Sequence, residues 1–195
     1  MQLRFAAEPK NGTTLVQHSL QRLAKGKNPL SGRGLTVESL AVQAPHAVYD
    51  LRADEVAAGK GLASAHPAGF RYLIGPQGAP VAAAEVIADA SGTAKLVANL
   101  NYGPFVSASA RALQEAEKLN AAHPGSHEVR LLRFSAIAAL ALWLKSDTGG
   151  ADVLYPLAPA PAPLQAEKPY SEEEFLAAIM PLARQRAQSN GSIAP

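Results

Sequence analysis

The chain has 195 residues, a formal net charge of +2 and no cysteine. This length fits one domain with room for an arm or tail, since domains run roughly 100 to 200 residues. The lack of cysteine excludes a disulfide framework, a thiolate metal site and a cysteine nucleophile. The first residues contain no continuous apolar segment, and no window approaches the ~18 apolar residues of a membrane span. We therefore expect a cytoplasmic protein without a membrane partner.

Positive charge is concentrated at the N-terminus, where residues 1–34 carry six basic side chains against one acidic side chain, Glu8. A basic arm can bind nucleic acid, with an affinity that falls steeply as salt rises. We prefer another explanation, because no aromatic platform accompanies the charge and three of the six lie where a helix is predicted to end, complementing its dipole. The six are Arg4, Lys10, Arg22, Lys25, Lys27 and Arg33.

The first predicted element is a helix over residues 14–25, with Asn11 or Thr13 as its N-cap and Gly26 as its stop. The sequence after this helix is rich in turn residues and then becomes strand-like, with imperfect alternation. In the segment after these strands, glycine and proline occur too often for a long helix or strand. These patterns predict two strands and then a short helical turn with a loop, at residues 35–42, 45–52 and 53–69.

Residues 70–101 have the clearest strand pattern in the chain. Phe70, Tyr72 and Ile74 alternate onto one face, and turn residues follow at 76–78 and 89–92. In the third strand, alternation sets Leu96, Ala98 and Leu100 opposite Lys95, Val97 and Asn99. The pattern predicts a three-stranded antiparallel meander.

A helix is predicted to begin at Pro104, because proline at a first helical position lacks only an N–H that would be unpaired. One face of this helix carries mostly small residues, which permit close approach to a sheet. We expect it to cover the apolar face of the meander. The stripe consists of Phe105, Ala108, Ala112, Ala116 and Leu119.

The next strand is predicted at residues 127–134. Residues 135–145 are apolar on both faces, so periodicity alone does not separate a buried strand from a buried helix. We favour a strand, because residues 146–150 have turn chemistry and the β-rich run 152–157 can pair with it as a hairpin.

The same turn contains Asp147-Thr148-Gly149, the tripeptide with which aspartic proteases present a catalytic carboxylate. It resembles the retroviral-type proteases only here and in the Ala-Asp-Val-Leu that follows Gly150. Lys145 and Ser146 replace the apolar residues that normally bury this loop, and no apolar-apolar-Gly segment follows. An aspartic protease also needs two carboxylates that share one proton, so a single copy would require a homodimer. We therefore interpret the tripeptide as a turn.

Residues 156–169 contain five prolines and predict an extended, semi-rigid spacer. A capping box begins the next helix, with Ser171 as N-cap, Glu174 at the third position, and Tyr170 able to contact Phe175. Pro181 should kink or interrupt this helix, and we expect the tail from residue 189 to be disordered. The apolar face, a candidate partner-binding surface, is Phe175, Leu176, Ile179 and Leu182.

These elements predict an α+β fold with two layers, in which a curved antiparallel sheet of meander plus hairpin packs on a helix, and a proline-linked helix follows. We divide the chain into four segments. They are a basic N-terminal helical arm (1–34), an α+β core domain (35–157), a Pro/Ala-rich linker (158–169) and a C-terminal amphipathic helix with its tail (170–195).

No metal site, phosphate loop or cofactor is expected. His123 and His127 have the i, i+4 spacing of a metal pair, but Pro124 breaks the helix that would align them. His127-Glu128 begins like the H-E-x-x-H motif, yet Leu131 takes the place of the second histidine. Glycine-rich phosphate loops and the G-x-S-x-G elbow are absent.

Charged residues within apolar strands suggest a ligand site instead. Together with neighbouring polar side chains they could line an anion-binding concavity on an open sheet face. The alternative is that they are ordinary solvent-side positions or cross-strand pairs. The candidates are Arg71, Tyr72, Glu85, Asn99, Arg130 and Arg133.

Our leading functional hypothesis is a non-catalytic module of bacterial type that binds protein or assembles with itself, through its sheet and its C-terminal helix. The alternative is a domain or enzyme that binds a small anionic molecule around Arg71, Arg130 and Arg133. No sequence motif specifies a reaction, so fold alone does not assign a function.

Overall fold

A computed structural model describes residues 2–24, 35–118 and 125–191. Within these ranges the chain forms an open sheet and four helices. The strands are β1 (Gln2–Phe5), β2 (Ala41–Asp50), β3 (His66–Gly75), β4 (Ala82–Ala88), β5 (Ala94–Asn101), β6 (Ser126–Phe134), β7 (Ala139–Ser146), β8 (Val153–Pro156) and β9 (Tyr170–Ser171). The helices are α1 (Gly12–Ala24), α2 (Ala53–Ala57), α3 (Pro104–Lys118) and α4 (Glu172–Gly191).

The strands lie in the order β5-β4-β3-β2-β6-β7-β8-β9, and β1 also pairs with β6. Two of the pairings, β1 with β6 and β2 with β6, are parallel, and the others are antiparallel. The predicted α+β fold with a mostly antiparallel sheet is confirmed. We name the face that carries α3 the α3 face, and the opposite face, which carries α1 and α4, the α1/α4 face.

The meander is confirmed, but a different helix covers it. Tyr72 and Ile74 are fully buried on the α1/α4 face, where they contact Val16 and Leu20 of α1. Our expectation that the helix beginning at Pro104 covers this surface is wrong. That helix lies on the opposite face, because the chain leaves β5 and crosses the strands on the side of Leu73 and Ala83.

Strand β5 departs from strict alternation. Two of its residues, Lys95 and Ala98, have no partner on β4. Each is the extra residue of a β-bulge. Each bulge reverses the side to which the following residues point, so Val97 contacts the α1 cluster while Leu96 is 47% exposed. The predicted grouping of Leu96 with Leu100 on one face is therefore wrong.

Strand β2 replaces the two strands predicted at 35–42 and 45–52. Residues Val37–Ser39 form a 3-10 turn, and one strand runs through Pro45. Its register with β3 shifts between Gln43 and His46, where Ala44 has a φ of 49°. Proline has no N–H to donate to a neighbouring strand. It is tolerated at this bulge because the ladder of hydrogen bonds is already interrupted there.

Helix α1 begins two residues earlier than predicted. Asn11, with a φ of 63°, directly precedes it, and the Glu8 carboxylate accepts the Thr13 N–H at 3.2 Å. The helix start is thus capped by an acidic side chain from the preceding segment. Lys25, Lys27 and Arg33, on which the basic-arm hypothesis partly rests, lie outside the described residues, as does the proposed Gly26 stop.

Helix α3 starts at Pro104 as predicted, and its small-residue stripe packs closely on the α3 face. Ala108, Ala112 and Ala116 are fully buried against side chains of β6, β7 and β8. Leu119 lies outside the part of the chain that the structure describes. The hairpin of β7 and β8 is also confirmed, although Ser135–Ile137 form a 3-10 turn before β7 begins.

The capping box of α4 is confirmed. The Glu174 carboxylate accepts the Ser171 N–H at 2.9 Å, and the Ser171 hydroxyl accepts the Glu174 N–H at 3.2 Å. The rings of Tyr170 and Phe175 meet edge to face at 6.4 Å. The helix continues through Pro181, so the predicted interruption is wrong, while a kink at Pro181 stays a prediction. Ile179 and Ala183 on either side of that proline are fully buried and hold both halves on the sheet.

The terminal segments contact the same sheet as residues 35–157. Leu157 and Leu164 are buried, and the Glu167 N–H bonds to the Pro156 carbonyl, so the linker follows the body instead of spanning free solvent. The predicted disordered tail begins too early, since α4 extends to Gly191. The division into four segments stays a prediction.

The capping box provides a stability prediction. Replacing Ser171 with Ala removes the acceptor for the Glu174 N–H and should lower the free energy of unfolding by about 1 kcal/mol. Glu173 is an exposed carboxylate in the same turn outside the box, so Glu173→Ala should cost only a few tenths of a kcal/mol. Urea denaturation measures both variants, and equal losses would contradict the assignment.

Candidate functional site

The six side chains expected to form one ligand site lie on opposite faces of the sheet. Cross-strand register places Arg71 beside Glu85, and Glu85 beside Asn99. Successive strand residues alternate between faces, so neighbours in sequence separate. The residues on the α3 face are Arg71, Glu85, Asn99 and Arg133, and those on the α1/α4 face are Tyr72 and Arg130.

Arg133 binds two carboxylates on the α3 face. Its Nε and Nη2 donate to the Asp50 oxygens at 2.6 and 3.1 Å, and its Nη1 donates to Glu85 Oε2 at 3.0 Å. The hydrogen bond with Asp50 is the main cause that raises the pKa of Arg133. This arrangement is a cross-strand ion-pair network, in which Arg133 has acceptors for all three of its nitrogens.

Arg71 and His46 are a buried pair at neighbouring strand positions on the same face. Arg71 is 1% exposed, and its Nε has no acceptor among the described residues. Burial lowers its pKa, while the nearby Glu85 charge acts in the opposite direction. His46 Nδ1 lies 2.7 Å from the Ala44 carbonyl oxygen, so this nitrogen carries the hydrogen. Burial lowers the pKa of His46 to about 4, so the ring is neutral at pH 7.

Tyr72 is part of the core beneath α1. It is fully buried, and burial raises the pKa of its phenol. The start of α1 lies so close that a side chain at Gly12 would overlap the Tyr72 hydroxyl. Tyr72 therefore fixes the packing of α1, and no ligand reaches it in this arrangement.

Arg130 lies against two aromatic rings on the α1/α4 face. Its guanidinium carbon lies 4.7 Å from the centre of the Tyr49 ring and 4.9 Å from that of Trp143. The Nε donates to Glu128 Oε1 at 2.7 Å. The two rings lie 5.4 Å apart at 74° to each other, so the guanidinium packs at the side of this aromatic pair.

Asp147 of the Asp-Thr-Gly tripeptide belongs to a neighbouring ion-pair group. Arg4 donates to both of its oxygens at 3.1 and 2.8 Å, and the Ser126 hydroxyl donates at 2.8 Å. These bonds lower the pKa of Asp147 to about 2. The segment connects β7 to β8, which confirms the turn. The carboxylate stays ionised and bound to Arg4, which is unlike a proton-sharing catalytic pair.

A groove opens on the α1/α4 face beside Arg130. It encloses about 400 Å³ and is lined in part by Ala6, Ala47, Tyr49, Phe70 and Glu128. Arg130 contacts two of these residues, Tyr49 and Glu128. Arg130 itself is not a lining residue, whereas Ile87 of β4 is one.

The predicted partner-binding face of α4 is turned toward the protein itself. Phe175 and Ile179 are buried in the core with Trp143, and Leu176 packs against the same cluster. Leu182 is half-buried beside an open cavity of about 540 Å³. Binding of a partner by this helix stays a prediction, and it would require α4 to leave the sheet.

The histidines in the described ranges do not converge on one site. His66 Nε2 lies 2.9 Å from the Glu55 carboxylate, and His127 is buried on β6. No group of three His, Asp or Glu side chains suited to a metal occurs in residues 2–24, 35–118 and 125–191. His123, one half of the considered i, i+4 pair, falls outside those ranges.

The sequence did not identify Tyr49, Asp50, Glu128 or Trp143 as neighbours of the candidate arginines. Glu128 and Arg130 are two residues apart in a strand, which predicts that they share a face. Asp50 and Tyr49 meet β6 only through the parallel pairing of β2 with β6. No local pattern indicates that pairing.

The buried imidazole of His46 predicts a pH dependence of stability. In the unfolded chain His46 takes up a proton near its ordinary pKa of 6.5, whereas the folded form resists protonation until about pH 4. Proton uptake therefore favours the unfolded chain. As the pH is lowered from 6.5 to 4, the free energy of unfolding should fall by up to about 3 kcal/mol. His46→Gln should flatten this slope in urea titrations, while His18→Gln at an exposed position should retain it. An unchanged slope in His46→Gln would contradict the assignment.

No helix among the described residues has the length and apolar character needed to cross a membrane. Comparison of the chain with protein-family models, curated proteins and solved structures gives no match.

Proposed function

We propose that this protein is a non-catalytic assembly module that self-associates through the uncovered part of its α3 face. The observation that supports this proposal is an exposed apolar pair. Ile87 and Leu96 stand opposite each other on β4 and β5 and are 44% and 47% exposed. Full burial of such side chains is worth roughly 1.5–3 kcal/mol each, so a contact that covers the remaining surface gains on the order of 1 kcal/mol from each.

This surface lies beyond the reach of α3. The helix packs on β6, β7 and β8, and the buried meander residues that it contacts in the described part of the chain are Leu73 and Ala83, near the opposite end of these strands. Helix α1 lies on the other face. An apolar pair left open beside helix-covered strands favours a binding surface.

The charges around the pair favour a second copy of the chain as the partner. Lys95 and Asp89 form an ion pair at 2.8 Å on one side, and Arg133 lies with Asp50 and Glu85 on the other. A two-fold contact brings the same patch together from both copies. Because both signs are present, each charge can meet an opposite one, whereas a patch of one sign would repel its copy.

Face-to-face contact fits this sheet better than edge-to-edge pairing. The two bulges of β5 disturb its outer edge, and Lys10 already pairs with Thr93 at the beginning of that strand. The opposite edge, β9, has two residues. The cytoplasmic location expected from the sequence is part of the same proposal.

In this proposal α4 supports the sheet and makes no direct partner contact. Its residues Phe175 and Ile179 belong to the core, so deleting the helix would expose apolar surface and obscure any effect on assembly. Surface substitutions therefore test the proposal more cleanly than truncation.

Ile87→Asp and Leu96→Asp should convert a concentration-dependent dimer into a monomer, because each places a charge at the centre of the contact. Sedimentation equilibrium measures the mass, and circular dichroism verifies the fold. Leu23→Asp is the matched control, since Leu23 is 37% exposed on α1. A wild-type chain that stays monomeric at about 100 µM, or a dimer that survives both substitutions, would exclude this surface.

A further inference from the structure

A second, smaller groove lies on the α3 face, between helix α3 and the turn that joins β3 to β4; we name it the Phe5 groove after one of its lining residues. It encloses about 260 Å³, slightly below the roughly 300–1,000 Å³ of pockets for drug-sized ligands. Gly78 and Pro80 of the turn contribute to its wall, whereas Ile87 and Leu96 lie at the other end of β4 and β5. The Phe5 groove therefore suits a molecule with a single ring, and it is separate from the proposed assembly surface.

Apolar side chains form a large part of this groove. Leu73 of β3 is 2% exposed, and Leu113 of α3 packs against the cluster that contains it. Phe5 of β1 lines the same groove and remains 37% exposed. A ligand that covers the Phe5 ring removes apolar surface from water, which favours binding.

The charge of the Phe5 groove comes from Glu117 of α3, whose carboxylate is unpaired. Glu117 is exposed and has no hydrogen-bond or ion-pair partner within the described ranges. Glu115, two residues earlier, is by contrast bound by Lys118 at 2.6 Å. Lys, Arg and His are absent from the described lining of the groove. An unpaired carboxylate without a neighbouring cation attracts a positive ligand and repels a negative one.

Gln43 of β2 adds a second acceptor to the lining. Its side-chain nitrogen donates to the Pro76 carbonyl at 3.3 Å and lies 3.5 Å from the Gly75 carbonyl oxygen. These carbonyls occupy the nitrogen, so the side-chain oxygen is the end left for a ligand, and it can only accept. Two acceptors match a protonated amine, which carries three donors and no acceptor.

We infer that the Phe5 groove binds a small primary amine with an apolar body. The ammonium group contacts the Glu117 carboxylate, and the apolar body lies against Leu73, Leu113 and Phe5. This site and the Ile87 and Leu96 surface are at opposite ends of the meander, so the inference does not depend on the proposed self-association.

The experiment uses 2-phenylethylamine as the probe and follows the backbone amides of the full chain by NMR near pH 7, where the amine is protonated. The probe should produce saturable shifts at Ala44, Leu73, Ala110 and Leu113. Three matched compounds separate the charge from the apolar body: 2-phenylethanol lacks the charge, 3-phenylpropionate reverses it, and ethylamine lacks the ring. The two phenyl compounds should bind at least about threefold more weakly, because an exposed ion pair contributes modestly. Ethylamine, without the apolar contact, should bind at least about tenfold more weakly.

Two variants assign the effect to the groove. Glu117→Gln keeps the shape of the side chain but removes its charge, and should weaken binding of the probe at least about threefold. Ala110→Leu should block binding, because the larger side chain fills the groove while Glu117 remains. Glu173→Gln is the matched control, since it removes the same charge from an exposed position on α4, and it should bind like the wild type.

Four results would overturn the inference. They are the absence of shifts in the groove up to about 10 mM probe, equal binding of 2-phenylethanol and the amine, wild-type affinity in either folded variant, and an equal loss of affinity in Glu173→Gln. Thermal denaturation establishes that each variant is folded. If Ala110→Leu does not fold, Glu117→Gln and the comparison of amine with alcohol still decide the question.

Discussion

Strand β6 has to bury both of its faces while pairing on both of its edges. Val129 and Leu131 are fully buried on the α3 face, and Leu132 and Phe134 are 1% exposed on the other. Burial of four such side chains is worth roughly 1.5–3 kcal/mol each, before the entropy of ordering is subtracted. The strand pairs with β7 on one edge and with β1 and β2 on the other. Helices α3 and α4, on opposite faces, therefore both pack on this one strand.

The alternation of β6 also distributes the charged residues. Arg133 shares the side of Leu131 and joins the carboxylates on the α3 face, while Arg130 shares the side of Leu132 and contacts two rings. The two arginines are three residues apart, an odd separation that sends them to opposite faces. One strand thus places an ion-pair network beside the proposed assembly surface on one face and an arginine against Tyr49 and Trp143 on the other.

Local signals in the sequence predicted local structure well. The capping box at Ser171, the alternation of Phe70, Tyr72 and Ile74, and the turn after Ser146 each depend on neighbouring residues, and each is confirmed. The parallel pairing of β2 with β6 joins residues more than 80 positions apart, and no periodicity encodes it. The bulge at Lys95 likewise reverses a side-chain pattern without a sequence signal, which is why Leu96 was assigned to the wrong group. The candidate ligand residues were therefore found individually, but their division between two faces was not.

The central claim is that β6 unites the two halves of the sheet in one cooperative unit. Native-state hydrogen exchange tests it most directly, because amides at the centre of a cooperative unit exchange only when the whole unit opens. The account predicts that Leu131 and Leu132 exchange with the free energy of global unfolding, and that no amide of β3 or β4 is better protected. If the meander retained stronger protection than β6, the halves would open separately and β6 would not be the strand that holds them together.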